Sequence, residues 1–413
     1  MSKVSLKEVS ELITKGTTPS SVGCEFTENG INFIKSESIT DSKYLNNKLY
    51  EHISELTDNK LKRSKLKEGD LLFSIAGAYL GKVGIVREGD VPANTNQAVG
   101  IVRLNKKSVD IDYVYYYFLQ KHVNRYINKL SSQSSQPNLN LDLLGKLELS
   151  LKNISTQKKI AKVLSDLDAK IELNNKINSE LEAMAKTLYD YWFVQFDFPD
   201  GKGKPYKTFG GKMVWNEELK REIPEDWEVK KINEISTIKA GGDKPKIYSN
   251  EKSETYAIPI YSNGITNDGL YGYTNEAKIH TQSITISARG TIGFCVLRNK
   301  PFVPIIRLIV VIPNEIYCIK YLYETIKNIA FEKSGSVQQQ LTSPQVSDID
   351  ILYPPIDLLI KFHKITSSYI DKIELIKEEN QQLASLRNWL LPMLMNGQVT
   401  VGDLQEKLGK VDE

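Results

Sequence analysis

The sequence predicts an α+β protein of two tandem mixed α/β domains, each followed by a long helix, with the two helices packed on each other. Three observations predict this class. The chain has 413 residues, which is enough for two or three domains. It contains an internal repeat, and each copy of the repeat ends in a long stretch whose apolar residues follow heptad spacing.

Composition places the chain among ordinary globular proteins. It is 40% hydrophobic and 25% charged, with a net charge of +3, which excludes global disorder and restricts any nucleic-acid binding to local basic patches. The longest apolar run, residues 305–312, is interrupted by Arg307 and is too short to span a membrane. The N-terminus has no apolar signal segment and the three cysteines form no CxxC pair, so we expect a reducing, cytoplasmic location.

The repeat is colinear, and the distance between matched residues shortens in steps, as small loop deletions would produce. Apolar positions match apolar positions, and glycines and prolines match in kind. Because the unit is far longer than a solenoid repeat, it predicts two copies of one domain-plus-helix module. Matched pairs are Gly16 with Gly242, Pro19 with Pro245, Ser36 with Ser262, Ala76 with Ala288, Leu139 with Leu341, and Asn178 with Asn380.

Each copy begins with a strand-rich part. Residues 5–16 have helical spacing, whereas the continuous apolar runs at 69–77 and 283–297 predict strands buried on both faces. The tyrosine-rich stretch 112–130 and its counterpart 319–334 predict helices. Polar loops follow them at residues 131–138 and 334–340.

The domain boundaries follow from these patterns and from composition. Residues 197–223 are dense in Gly, Lys and Pro, which is typical of a linker. The predicted segments are a first domain at 1–152, a first helix at 153–196, the linker at 197–223, a second domain at 224–355, a second helix at 356–396, and a tail at 397–413.

Local signals bound each long helix. Ser155 is positioned to cap the first, and Pro354 and Pro355 precede the second. Helices of about 39 residues extend about 58 Å, further than a single domain of this size, so we expect the two seams to pack on each other. Asn178 and Asn380 occupy matching seam positions, where an asparagine either fixes the register or marks a water-exposed kink. The residues expected to pair are Leu164, Leu167, Ile171, Asn178, Leu181, Leu188, Tyr369, Ile373, Ile376, Asn380, Leu383 and Leu390.

Catalytic motifs are missing or incomplete. The four histidines have no metal-ligand spacing, no GxSxG is present, and the phosphate-loop-like residues 77–83 have too few residues between their glycines. Asp200 and Glu218 only loosely match a metal-dependent nuclease pattern. The Pro pair after Tyr353 resembles a methyltransferase loop but lacks the amide or carboxylate oxygen that would accept from an amine. Binding is therefore the better prediction.

DNA binding requires cations for phosphates and polar side chains for base edges. The candidates lie in the basic run 60–67, in two glycine turns near residues 77 and 290, and in the two polar loops. Solvated surface residues and ordinary linkers are the alternative interpretation. The candidate residues are Lys35, Ser36, Lys62, Arg63, Lys65, Tyr79, Lys82, Asn96, Gln133, Ser135, Asn138, Tyr261, Ser262, Asn263, Arg289, Thr291, Arg307, Gln338 and Gln339.

With this layout, essentially the whole chain resembles the specificity subunits of type I restriction–modification enzymes. The resemblance is carried by residues 188–198, by residues 211–229, by the Ser-Ala-Arg-Gly-Thr-Ile-Gly segment that starts at Ser287, and by Gln136-Pro137-Asn138-Leu139. The first copy departs from the Arg-Gly-Thr pattern, because it has Gly77-Ala78-Tyr79 at the corresponding turn.

The resemblance implies a non-catalytic, DNA-binding subunit. Each domain is then a target recognition domain that reads one half of a split, asymmetric sequence, and the helices run antiparallel as a coiled coil that sets the spacer. It implies double-stranded DNA, two modification subunits and two restriction subunits as partners, and no membrane. The partner subunits use S-adenosylmethionine, ATP and Mg, and this chain holds no cofactor. Two alternatives stay open: a coiled-coil scaffold that binds only proteins, and a self-contained methyltransferase or nuclease.

Overall fold

The computed structural model describes residues 2–77, 80–131, 138–331 and 340–402. The chain divides into two compact units, the first formed by residues 1–173 together with 379–413 and the second by residues 174–378. Both units are mixtures of helices and sheets. No helix in the described ranges combines the length and apolar character that crossing a membrane requires.

The first copy of the repeat contains nine strands and five helices among its described residues. The strands are β1 (Ser2–Ser5), β2 (Ser10–Lys15), β3 (Ile31–Ile34), β4 (Glu51–Ile53), β5 (Leu71–Ser74), β6 (Val83–Ile85), β7 (Ala93–Thr95), β8 (Val99–Leu104) and β9 (Glu148–Leu151). The helices are α1 (Glu55–Lys60), α2 (Ile111–Leu119), α3 (Lys121–Ser131), α4 (Leu141–Gly145) and the long α5 (Ile154–Tyr189).

The second copy follows the same plan after a hairpin. Its strands are β10 (Met213–Asn216), β11 (Arg221–Pro224), β12 (Glu228–Lys231), β13 (Ser236–Ala240), β14 (Ile258–Tyr261), β15 (Leu270–Thr274), β16 (Ser283–Ser287), β17 (Cys295–Arg298), β18 (Val303–Pro304), β19 (Leu308–Pro313) and β20 (Asp350–Tyr353). Its helices are α6 (Ile232–Ile235), α7 (Ile319–Lys327), α8 (Ser343–Ser347) and the long α9 (Ile356–Asn396).

The sheet topology of the two copies is the same. Four-stranded antiparallel sheets have the orders β2-β8-β5-β6 and β13-β19-β16-β17. Three-stranded sheets have the orders β4-β3-β7 and β15-β14-β18, and in each the last pair runs parallel. Each copy also pairs the strand that begins its domain with its last strand, as β1-β9 and, after the β10-β11 hairpin, β12-β20. The predicted duplication of a mixed α/β domain is therefore confirmed.

A one-residue bulge changes the alignment of the two copies. Glu11 is skipped in the pairing of β2 with β8, because Ser10 pairs with Leu104 and Leu12 pairs with Arg103. After the bulge, Gly16 corresponds to Gly241 rather than to Gly242, which corrects the sequence match. Both glycines are required by a close approach of backbones. A Cβ atom at Gly16 would lie 2.0 Å from the Thr95 carbonyl oxygen, and one at Gly241 would lie 2.2 Å from that of Ile305.

The predicted helix at residues 5–16 is wrong for most of its length. Only Lys7–Val9 forms a short 3-10 turn, and Ser10–Lys15 forms the strand β2. The backbone hydrogen bonds of β2 to β8 override the local helical spacing. The apolar runs are predicted as strands buried on both faces, and this is confirmed for β5 and β16, in which every residue is buried. It does not hold for β17, the second strand of the run 283–297, because Val296 and Leu297 are only half-buried. The tyrosine-rich stretch is helical, but it breaks at Gln120 into α2 and α3.

The segment predicted as a linker is an ordered part of the second unit. Residues Met213–Asn216 and Arg221–Pro224 pair as an antiparallel hairpin. Apolar side chains from this segment, including Phe198 and Ile223, pack in the core of the second unit. The Gly and Lys residues that indicated a linker lie in turns between these anchored side chains, for example at Gly203 and Gly210, both of which have positive φ.

Residues that favour a helix start lie directly before each long helix. The Asn153 side chain accepts a hydrogen bond from the backbone N–H of Thr156 at 2.8 Å, so Asn153 caps α5 and the expected cap Ser155 lies inside the helix. Helix α9 begins directly after Pro355, as expected. A wider π-helical turn, Asp190–Val194, follows α5.

Every predicted seam residue is either buried or half-buried. Tyr369 is only half-buried, and its neighbour Ile370 is the more buried of the two, so the buried line shifts by one residue at this point. Leu164, Asn178, Ile373, Ile376 and Leu390 are buried, and Leu167, Ile171, Leu181, Leu188, Tyr369, Asn380 and Leu383 are half-buried. Within the first unit, Leu164 shares a core with Leu390. Within the second unit, Phe362 of α9 packs against Tyr189 of α5, with ring centroids 6.5 Å apart.

Candidate nucleic-acid interface

Parallel strands bring three candidate residues together in the first unit. Strands β3 and β7 pair in parallel, so Ile34 lies opposite Thr95, and the Thr95 hydroxyl donates to the Ile34 carbonyl oxygen at 2.5 Å. The segments that follow both strands therefore leave the sheet at the same end. Lys35 and Ser36 follow β3, and Asn96 follows β7.

Two further loops join this end of the domain. The backbone N–H of Ile75 donates to the carbonyl oxygen of Ala98 at 2.9 Å, which places the turn after β5 beside the turn between β7 and β8. Ala76 forms an isolated β-bridge with Asn138. We call residues 35–36, 75–77, 96–98 and 138 the first loop cluster. The candidates Tyr79, Gln133 and Ser135 lie outside the described residues.

Some basic candidates of the first unit form ion pairs with carboxylates, and others do not. Lys35 forms an ion pair with Glu51 at 2.5 Å, Lys65 with Asp58 at 2.5 Å and Lys82 with Asp41 at 3.1 Å. A phosphate would have to compete with these carboxylates. Within the described residues, the exposed Arg63 side chain donates only to the Thr17 hydroxyl, at 3.2 Å, and the exposed Lys62 has no ion pair. Arg63 and Lys62 are therefore the most available cations of this group.

The second unit has an equivalent arrangement, which we call the second loop cluster (residues 261–263, 287–291, 305–307 and 341). The Asn263 side-chain amide donates to the Arg289 carbonyl oxygen at 3.0 Å, and the Ser287 hydroxyl donates to the Asn263 carbonyl oxygen at 3.2 Å. The backbone N–H of Ala288 donates to Arg307 at 2.9 Å, and that of Leu341 donates to Ala288 at 2.8 Å. Four segments that are distant in sequence are thereby fixed to one another. Gln338 and Gln339 lie outside the described residues.

Tyr261 faces the interior of its domain. The guanidinium of Arg298 lies 3.5 Å from the centre of its ring, and Arg298 also donates to the Thr285 hydroxyl at 3.0 Å. Burial raises the pKa of Tyr261 and lowers that of Arg298. Sequence reasoning missed Arg298, which forms part of the buried support of the loop containing Ser262 and Asn263.

The exposed face of the second loop cluster carries cations. Thr291 and Arg307 are exposed, and Arg289 is half-buried with no hydrogen bond or ion pair from its guanidinium within the described residues. Arg307 has a left-handed backbone with φ of 76°. An unpaired guanidinium on a fixed loop can donate two parallel hydrogen bonds to a phosphate or to a guanine edge.

Replacing Arg289 by Ala is expected to weaken DNA binding by the assembled complex, since this removes one of the two arginine side chains that the second loop cluster offers to DNA. A guanine contact is worth about 1–3 kcal/mol and its loss would relax one base of the target, whereas loss of a phosphate contact would lower the salt slope by about one. Titration of labelled DNA at several salt concentrations distinguishes the two. Arg221→Ala, an exposed arginine at the start of strand β11 and outside the second loop cluster, is the matched control. Unchanged affinity would remove Arg289 from the interface.

A cation–aromatic patch beside the second loop cluster escaped the sequence analysis. Lys244 Nζ lies 4.2 Å from the ring centre of Tyr248 and donates to the Tyr271 hydroxyl at 3.3 Å. Both rings are partly exposed, at 37% and 43%. The hydrogen bond and charge of Lys244 lower the pKa of Tyr248. The available signal was a pair of lysines, Lys244 and Lys246, followed by Tyr248. Exposed rings beside ammonium groups suit nucleic acid.

Lys244→Ala is expected to weaken DNA binding about equally for specific and unrelated sequences and to reduce the salt slope by about one, because an ammonium group contacts phosphate rather than base edges. Lys252→Ala, an exposed lysine of the same loop outside the patch, is the matched control. Equal affinity and equal salt slope in the Lys244 variant would contradict a phosphate contact.

The described residues contain no group of three or more His, Cys, Asp or Glu side chains arranged to hold a metal ion. The three cysteines are free thiols. Burial raises the pKa of Cys295 to about 12 and that of Cys318 to about 11, so both remain protonated at neutral pH and are poor nucleophiles.

The fold and its two loop clusters define a duplicated binding protein with one candidate site in each half. A family model described as the type I restriction modification DNA specificity domain matches residues 1–183 and again residues 224–385. The chain therefore belongs to the type I restriction–modification DNA specificity family.

Several relatives resemble the chain over most of their length. The MjaIX type I restriction enzyme specificity subunit of Methanocaldococcus jannaschii is 26% identical over 97% of this chain and 93% of its own. The HindI type I restriction enzyme specificity subunit of Haemophilus influenzae is 25% identical over 87% of this chain and 94% of its own. Among solved structures, the S subunit of a type I restriction–modification system from M. genitalium has a TM-score of 0.53 at 19% identity, covering 95% of both chains. That likeness supports the fold.

Proposed function

We propose that this chain is the sequence-specific DNA-binding subunit of a type I restriction–modification complex. The observation that carries the proposal is the duplication of one domain with a loop cluster at the equivalent end of each copy. A protein with two such sites on one chain suits a target with two separated halves. Family membership and the names of the relatives support the same function.

The two half-sites of the target differ from each other in this proposal. The first loop cluster contains Lys35, Ser36 and Asn96, and the second contains Asn263, Arg289 and Arg307. Because hydrogen-bond donors and acceptors at base edges are distinguished by the side chains that meet them, different sets of side chains in the two clusters favour different bases. The complete target is therefore bipartite and asymmetric.

The two long helices pair as an antiparallel coiled coil that sets the spacer between the half-sites. Asp168, early in α5, forms an ion pair with Arg387, late in α9, at 2.6 Å. In the second unit the end of α5 contacts the start of α9, because Tyr189 packs against Phe362. Contact positions therefore move backwards along α9 as they move forwards along α5. Contacts with reversed order support the antiparallel direction, and the half-buried seam supports the pairing.

The chain acts in a complex and performs no chemistry itself in this proposal. It docks two modification subunits, which methylate adenine N6 with S-adenosylmethionine, and two restriction subunits, which use ATP and Mg, and it works on double-stranded DNA in the cytoplasm. Exposed apolar side chains on the long helices support a docking role. They are Leu173, Met184, Leu375, Leu386 and Trp389.

Single-molecule methylome sequencing tests this function. DNA would be taken from cells that express the chain together with its modification subunit. We expect N6-methyladenine on both strands of one split, asymmetric motif. No new motif, from a complex shown to be assembled and supplied with S-adenosylmethionine, would contradict the proposal and favour a protein scaffold.

A further inference from the structure

A buried carboxylate joins the first domain to both long helices inside the first unit. The Tyr116 hydroxyl donates to Asp168 Oδ2 at 2.5 Å, and Arg387 Nη1 donates to Asp168 Oδ1 at 2.6 Å. Tyr116 lies on α2, Asp168 on α5 and Arg387 on α9, so one side chain binds the globular domain and the second helix at once. The Asp168 and Arg387 side chains are only 10% and 16% exposed, so water competes weakly for these bonds.

A second group of bonds lies one helical turn away. Lys43 Nζ lies 2.9 Å from both Asp112 Oδ2 and Ser165 Oγ, and the Ser165 hydroxyl donates to Asp112 Oδ2 at 3.1 Å. Ser165 and Asp168 are three residues apart on α5 and therefore share one face of that helix. We call these six residues (Lys43, Asp112, Tyr116, Ser165, Asp168 and Arg387) the Asp168 network.

The second copy has no equivalent of this network among its described residues. By the match of α7 to α2, Lys320 replaces Asp112 and Glu324 replaces Tyr116. These two side chains pair with each other at 2.6 Å within α7, and Glu324 Oε2 has no hydrogen bond. By the match of the long helices, Ile370 stands in the place of Asp168. The second copy joins its domain to the long helices through other polar contacts, such as that of the Tyr189 hydroxyl with the Thr325 hydroxyl at 3.0 Å. A network centred on one buried carboxylate is therefore a feature of the first copy rather than a requirement of the fold.

We propose that Asp168 is a positioning residue that fixes the first domain on the α5 and α9 segments of its unit and thereby keeps the recognition of spacer length strict. The inference rests on the proposed function. One base pair more or less in the spacer moves a half-site by about 3.4 Å and turns it by about 35°. Directional hydrogen bonds from a buried carboxylate resist such a rotation, whereas the apolar contacts of Leu164 are non-directional and resist it less.

Asp168→Asn tests this inference in the assembled complex. The substitution preserves the shape of the side chain but removes its charge and one acceptor oxygen. We expect methylation at sites whose spacer is one base pair longer or shorter to rise about tenfold relative to sites with the native spacer, the effect of losing one charge-assisted hydrogen bond. The bases of both half-sites should stay the same.

Matched variants separate positioning from general destabilisation. Asp166→Asn removes an exposed carboxylate two residues away, which forms a surface ion pair with Lys162 at 2.8 Å. This variant should still discriminate against spacers of altered length. Tyr116→Phe removes the hydroxyl alone and should relax the spacer in the same direction, even where the Asp168 variant fails to assemble. Thermal unfolding of each complex verifies its integrity.

Two results would overturn the inference. One is unchanged discrimination against spacers of altered length by the Asp168 and Tyr116 variants, from complexes that assemble and unfold thermally as the unmodified complex does. The other is equal relaxation in the Asp166 variant, because this would trace the effect to lost charge rather than to the network. Failure of the unmodified complex to methylate any split motif would instead refute the proposed function, and the inference would fall with it.

Discussion

Removing one heptad from each long helix is expected to shorten the spacer of the methylated motif by about three base pairs and to leave both half-sites unchanged. Seven residues of α-helix extend about 10.5 Å, and successive base pairs are about 3.4 Å apart. Because seven residues are close to two full helical turns, the seam keeps its face after the deletion. DNA turns by about 100° over three base pairs, so we also expect slower methylation at the shortened sites.

The contacts within each unit indicate which heptads can be removed. Deleting residues 173–179 and 379–385 retains three contacts, of which the first joins the two long helices and the other two anchor the domains to them. These are the Asp168–Arg387 ion pair, the Arg87–Glu172 ion pair at 2.8 Å and the contact of Lys300 with Glu378. Methylome sequencing of cells that express the shortened chain reports the new spacer directly.

A control deletion tests whether the seam itself matters. Removing two residues from each helix at the same places turns the helix face by about 200°, which moves the seam away from its partner and should abolish assembly. An unchanged spacer in the heptad variant, or altered bases in either half-site, would contradict the role of the helices in spacing.

Long-range periodicity made the helices predictable from sequence. The second helix was expected at residues 356–396, and α9 spans Ile356–Asn396. Its apolar spacing persists over 41 residues, so single exceptions such as Pro392 do not obscure it. The duplicated sheets were predictable for a related reason. The same pattern of apolar residues and glycines occurs in both copies of the repeat, so each copy supports the strand prediction for the other.

Short elements were not predictable because tertiary pairing decides them. Residues 10–15 have helical spacing, yet β8 pairs with them as a strand. The bulge at Glu11 leaves no sequence signal, so the match of Gly16 to Gly242 was shifted by one residue. The hairpin of Met213–Asn216 with Arg221–Pro224 was hidden by surrounding turn residues.

The candidate site was predictable as a set of loops but not as a set of contacts. In the second unit the loop that contains Asn263 and the glycine turn after Ser287 do come together, as the Asn263–Arg289 bond demonstrates. The sequence gives no indication that Lys35 is paired with Glu51, since 16 residues separate them. It equally conceals Arg298 under the Tyr261 ring, because cross-strand packing in the folded domain brings them together.

Exchanging residues 1–152 for the matching segment of another family member is expected to replace one half-site entirely and to leave the other half-site and the spacer unchanged. The first loop cluster lies wholly within this segment, and the segment closes on itself through the pairing of β1 with β9. The second loop cluster belongs to the other unit. Methylome sequencing of the chimera, compared with that of both parents, measures the outcome.

Hydrogen bonds connect residues before position 152 with helix α5 after it, and the donor segment must supply its half of each bond. The Gln157 side chain of α5 accepts from the backbone N–H of Asp110 at 3.0 Å, and Tyr116 donates to Asp168. A donor that lacks a tyrosine at the position of Tyr116 should therefore give the new half-site with a relaxed spacer. Restoring that tyrosine in the chimera should make the spacer strict again.

The reciprocal exchange of residues 224–355 is the matched control and should change only the other half-site. A chimera in which both half-sites change would show that the two domains do not read DNA independently, and one in which neither changes would place recognition outside the loop clusters.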